Sequence, residues 1–150
     1  MPDSAMSLDV RPTTERPLKL HVHLAPTLDF QPGSPLRYAV ANDSRALKPV
    51  AFDNRFDTSQ HALDGQLFAL ALRDKSTLDA SRFKLQGKLA CTTLKADAKA
   101  SRAADRFAGK ALDAELVDAA TGVKVHWRAL LRDGANYVRQ EFSFASKSDL

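Results

Sequence analysis

From Val123 to Ala129 the chain alternates without a break. Val123, Val125, Trp127, Ala129 and Leu131 take every second position, with Lys124, His126 and Arg128 between the first four. Side chains alternate across a strand but follow a 3.6-residue period on a helix, so this run fits a half-buried strand and no helix. A strand with one dry face needs a second layer to cover it. That requirement constrains the chain more than any other feature of its sequence.

Other segments obey the same rule. In residues 18–24, Leu18, Leu20, Val22 and Leu24 alternate with Lys19, His21 and His23, and Pro17 and Pro26 bracket the run. Proline cannot donate to a ladder, so it suits the ends of a strand. Residues 31–35 are turn chemistry, residues 36–40 a second strand ended by Asn42-Asp43-Ser44, and the two strands are expected to be antiparallel neighbours. Residues 50–56 make a weaker third strand, with Val50, Phe52 and Phe56 on one parity, and residues 57–65 make a loop. Residues 67–72 are nearly continuously apolar, which predicts a strand covered on both faces.

The stretch 93–108 is rich in alanine, lysine, arginine and aspartate, but only Leu94 and Phe107 are large apolar anchors. A helix with so little to bury gains little from packing. The expectation is a surface excursion with one short helical turn near residues 95–107. Alternation returns at Leu112, Ala114 and Leu116, and Ala120-Thr121-Gly122 makes a turn. Val138, Phe142 and Phe144 then alternate with Arg139, Glu141 and Ser143. This last strand should form a hairpin with the 123–131 strand through a loop at residues 132–136 that contains Gly134.

About eight short strands separated by turns predict an all-β fold, an antiparallel β-sandwich forming one domain over residues 1–150. Residues 1–9 and 145–150 read as polar tails. The expected core comprises Leu18, Leu20, Val22, Leu24, Tyr38, Val40, Phe52, Phe56, Phe68, Leu70, Leu72, Phe83, Leu112, Leu116, Val123, Val125, Trp127, Phe142 and Phe144.

Composition removes several classes. The chain has 150 residues, 44% of them hydrophobic, and a net charge of +4. No apolar run nears the roughly 18 residues of a membrane-spanning helix, and no membrane partner is expected. Its single cysteine, Cys91, rules out an internal disulfide and a four-thiolate zinc site. Residues 1–9 lack the basic start and apolar centre of a secretory leader. The sequence as it stands is therefore compatible with the cytoplasm, and localisation stays open.

Candidate chemistry is thin. His21 and His23 share one strand face and form a metal half-site, which His61, His126 or a carboxylate would have to complete. Two solvated histidines are the plainer reading. Cys91 has no histidine near it in sequence and is expected to be a small, partly buried side chain. No GxSxG, P-loop or GxGxxG pattern occurs. Lys95, Lys99, Arg102, Arg106 and Lys110 are interleaved with Asp97, Asp105 and Asp113, which reads as a solvated face and gives no nucleic-acid partner. Trp127 belongs to the apolar parity and is expected in the core. No catalytic, cofactor or metal residue is assigned.

The C-terminal half resembles a known family. Residues 100–110 (ASRAADRFAGK), 121–128 (TGVKVHWR) and 131–141 (LRDGANYVRQE) look like the galactose-mutarotase-like sandwich that precedes the catalytic barrel in bacterial α-galactosidase-like glycoside hydrolases. Asn54-Arg55-Phe56 and residues 67–70 fit more loosely, so the likeness spans about residues 50–144, while residues 8–48 do not share it. The resemblance implies a non-catalytic accessory sandwich that serves domain packing or glycan contact, with the catalytic carboxylates on a barrel outside this chain. A carbohydrate or a catalytic domain would then be the partner. The alternative is an independent protein-binding module or small inhibitor acting through a sheet edge or loops, with pairing of copies through the same edges.

Overall fold

The computed structural model describes residues 27–28, 33–43, 46–56, 60–63 and 65–147. The first sheet holds β1 (Thr27–Leu28), β2 (Leu36–Asp43), β3 (Ala46–Asn54) and β4 (Gln60–Ala62), in that order and antiparallel throughout. A short hairpin follows, β5 (Ala69–Ala71) and β6 (Thr77–Asp79). The second sheet is a meander of β7 (Lys84–Leu94), β8 (Gly109–Val117), β9 (Lys124–Arg132) and β10 (Arg139–Ala145), in the order β10-β9-β8-β7. The fold is all-β and antiparallel. β1 packs over β8 and β3 over β7, so the two larger sheets face each other as layers.

One apolar cluster joins the layers. Leu28, Val40 and Leu47 come from the first sheet, Leu112, Leu116, Val125, Trp127 and Leu131 from the second, and Leu78 and Phe83 from the connection between them. Trp127 is fully buried. Its indole N–H donates to Gln140 Oε1 at 2.9 Å, which removes the cost of an unpaired buried donor.

The β8–β9 turn shows how local chemistry sets the register. Asp118 is buried, and its carboxylate accepts from the Thr121 hydroxyl at 2.8 Å and from Arg82 at 3.1 Å. Gly122, at φ +72°, donates its N–H to the Asp118 carbonyl at 2.8 Å. The β9–β10 connection is tied down from outside its own hairpin, because the Ser34 hydroxyl donates to the Ala135 carbonyl at 2.6 Å.

Several expectations change. The strand expected at residues 18–24 lies outside the described residues, as do residues 1–9 and 148–150 of the tails. β3 begins at Ala46 and ends at Asn54, so Phe56 falls beyond it and is 87% exposed. The apolar run 67–72 is not a strand buried on both faces. Only Ala69–Ala71 is strand, Leu67 is buried, and the two alanines face solvent while Phe68, Leu70 and Leu72 pack on the core. Alanine is apolar enough to hide the alternation. Phe144 is 49% exposed and so lies outside the core, and the β9–β10 loop runs from Asp133 to Val138.

Among the described residues there are ten strands, with β1, β4, β6 and β7 additional to the expected set, and β4 falls within residues 57–65, which were expected to be a loop. β7 shows almost no alternation because it is exposed along most of its length, and Gly87 at φ +72° sits where its register shifts. The excursion 95–108 contains one 3₁₀ turn, Ala103–Arg106.

Two outcomes follow from this packing. Burial pushes the Tyr38 phenol up to about 12, and its hydroxyl has no hydrogen-bond partner. The unfolded phenol ionises near pH 10, so the folded state holds the proton more tightly and stability falls as pH rises from about 10 to about 12. Tyr38→Phe should cost no stability at pH 7, and chemical denaturation from pH 9 to 12 should show a weaker alkaline loss. At Gly109, an added Cβ would overlap the Leu131 carbonyl oxygen and come within 2.8 Å of Arg132 Cα. Gly109→Ala should therefore lower unfolding stability in urea by about 1–3 kcal/mol.

Candidate functional site

Register builds a charge lattice on the outer face of the second sheet. Asp113 of β8, Arg128 of β9 and Glu141 of β10 stand abreast. Arg128 Nε lies 2.6 Å from Asp113 Oδ1, and its Nη1 lies 3.7 Å from Glu141 Oε2. Arg139 reaches Glu141 at 2.9 Å and Asp105 at 3.3 Å, while Arg132 meets Asp105 at 3.1 Å. Arg102 approaches Glu141 at 3.9 Å. Asp105 reaches this cluster because the 3₁₀ turn Ala103–Arg106 folds back over the strand ends, where Arg132 also donates to the Lys95 and Phe107 carbonyls at 3.0 and 2.7 Å.

Arg102, Arg128, Arg132 and Arg139 thus share Asp105 and Glu141, with Asp113 shared further along with His126. The Nε–H groups of Arg132 and Arg139 are buried and have no acceptor. Beside them Ala104, Leu130, Ala135 and Tyr137 complete a shallow hollow with an empty volume of about 200 Å³, counting its open mouth. Tyr137 stands at its rim and is 49% exposed.

The other face of β10 is aromatic. Phe142 lies abreast of Trp127, and Phe144 abreast of Val125. Phe68, just before β5, meets Phe142 edge-on at 5.5 Å and Phe144 at 6.3 Å, and the Phe142 and Phe144 rings are nearly parallel at 6.2 Å. β10 pairs with β9 over seven consecutive residues without a register shift, and no described strand pairs with its other side. β7, at the opposite edge, carries Lys84, Lys88 and an irregularity between Gln86 and Ala90. Lysines and bulges discourage edge-to-edge pairing, and β10 has neither within its span.

The residues singled out from sequence fare unevenly. His21 and His23 lie outside the described residues, and β4 contains His61. His126 faces outward, 3.4 Å from Asp113 and 3.9 Å from Glu115. Among the described residues no cluster of three or more His, Cys, Asp or Glu has metal-binding geometry. Cys91 is exposed rather than partly buried, because β7 is an edge strand facing solvent over most of its length. Lys95, Lys99, Arg102, Arg106 and Lys110 are all exposed, while Trp127 is in the core.

The joint role of Asp105, Arg132 and Arg139 had no signature in the sequence, where they are spread over 35 residues. That Arg128 and Glu141 share the wet face follows from the parity of the expected hairpin, while the register that sets them abreast is given by the structure. The chain matches none of the known family models, curated proteins or solved structures with which it was compared.

Asp105 holds two arginines that would otherwise repel each other. Asp105→Asn should lower stability by about 1–2 kcal/mol, and a double-mutant cycle with Arg139→Gln should show coupling between the two positions. The exposed Cys91 thiol should react with a maleimide in the native state, without denaturant.

Proposed function

We propose that this chain is a non-catalytic β-sandwich module that docks another folded polypeptide along β10. The observation that carries this reading is the regular edge of β10, flanked on its inner side by the Phe68–Phe142–Phe144 cluster and open at Phe144. An unprotected strand edge offers backbone donors and acceptors, and a half-exposed aromatic beside it adds apolar area. A docked segment would take both from water at once. The reading agrees with the domain-packing role that the resemblance to glycoside-hydrolase accessory sandwiches implies.

Tyr137 supports a second reading. Its exposed ring beside Arg132 and Arg139 combines an aromatic platform with cationic donors, an arrangement suited to glycan contact.

Displayed random peptides selected against the folded chain, together with thermal scans over a panel of galactosides and other glycans, separate the two. Docking predicts enriched peptides whose binding is lost in Phe144→Asp and no sugar that raises the melting midpoint. A midpoint raised by one sugar and abolished by Tyr137→Ala would replace docking with glycan contact, because a ligand of the native state must raise the midpoint.

A further inference from the structure

Resting on the docking reading, we infer that the partner of β10 is an extended segment carrying a carboxylate abreast of Arg139 and apolar side chains abreast of Phe142 and Phe144. The two faces of β10 make different demands along its length. On the outer face its residues run Arg139, Glu141, Ser143, and on the inner face Gln140, Phe142, Phe144. Any strand added beside it places one residue next to each of these in turn, on the same face.

Charge sets the first of those positions. Near Arg139 four arginines meet three carboxylates, Asp105, Glu141 and, nearest to Arg128, Asp113, and the buried Nε–H of Arg139 has no acceptor. This end of the edge is cation-rich and favours a carboxylate. Two residues on, Glu141 is itself abreast of the incoming strand, so the partner residue there is neutral or basic. At the far end the inner face offers Phe142 and the half-exposed Phe144, which favour valine or isoleucine on the partner.

The requirement is directional along the edge: acid at the Arg139 end, apolar alternation at the Phe144 end. A second copy of β10 pairing antiparallel about Phe142 fails it. Ala145 of the copy would then face Arg139, and its Gln140 would face Phe144, which leaves the cation-rich end without a carboxylate.

The test is an NMR titration of the isotopically labelled chain with the hexapeptide Val-Thr-Val-Thr-Thr-Glu, capped at both ends, and with its reverse-order counterpart for parallel addition. Amide signals of residues 139–145 should shift. Replacing the terminal Glu by Lys in the peptide should weaken binding about threefold to tenfold. Arg139→Gln in the chain should remove most of that discrimination. Phe144→Asp should abolish binding while the thermal melt remains cooperative.

Equal binding of the Glu and Lys peptides at β10 would overturn the charge requirement and leave docking intact. Neither peptide shifting β10 signals at millimolar concentration would overturn both. A concentration-dependent dimer in sedimentation, dissolved by Phe144→Asp, would replace the acidic segment by a second copy of the chain.

Discussion

The structure depends on the burial of the dry face of β9. Trp127 lies at the centre of that face, with Val125 and Leu131 on the same side and Leu112 and Leu116 on neighbouring β8. Large side chains of this kind stabilise by about 1.5–3 kcal/mol each when fully buried, but only if a second layer covers them. β1 and β3 of the first sheet lie over β8 and β7. The hairpin β5–β6 and the residues around it bring Phe68, Leu70, Leu78 and Phe83 against the same core. The short hairpin is therefore a working part of the second layer. Phe68, edge-on to both Phe83 and Phe142, links the middle of the core to β10.

That arrangement explains which parts of the fold were legible in sequence. β8 and β9 are central strands with one wet and one dry face, so their polarity alternates and the text shows it. The turn between them was legible as well through Thr121 and Gly122, whereas the buried Asp118 that both of them bond was not singled out. β7 was illegible for the opposite reason. An edge strand exposed along most of its length has no second polarity to alternate with, and Gly87 at its register shift reads as a loop. The run 67–72 misled in a third way. Two small apolar residues, Ala69 and Ala71, occupy solvent-facing positions, so a strand with one wet face imitated one with none.

The charge lattice was half legible. Arg128 and Glu141 stand abreast because β9 and β10 form a hairpin, and sequence alone predicts that hairpin. Asp105 belongs to a different segment, and its place beside Arg132 and Arg139 depends on how the 95–108 excursion folds back over the sheet. Nothing in the residue types of 95–108 records that return, which is held by the Arg132 guanidinium bonding to the Lys95 and Phe107 carbonyls. Exposed ion pairs taken singly contribute little to stability. Here Arg132 and Asp105 are shielded enough, at 13% and 25% side-chain exposure, for the pairing to pin the excursion and Tyr137's hollow in place.

The two edges of the second sheet differ for a physical reason. β7 is protected by its own irregularity: lysines, a glycine in the left-handed region and a register shift. Those features cost it regular pairing with β8 and leave little apolar surface to cover. β10 retains a regular ladder over its whole length and keeps two phenylalanines on its inner face. Phe142 is held by Phe68 and faces the Trp127 position, whereas Phe144 lies further toward the strand end, 6.3 Å from Phe68 and half exposed. Added cover would complete the burial of Phe144 and pair the side of β10 that no described strand pairs. At β7 it would have to accommodate the register shift for little apolar gain. An extended partner would therefore gain more at β10 than at β7, and the charge around Arg139 would set which of its residues lies there.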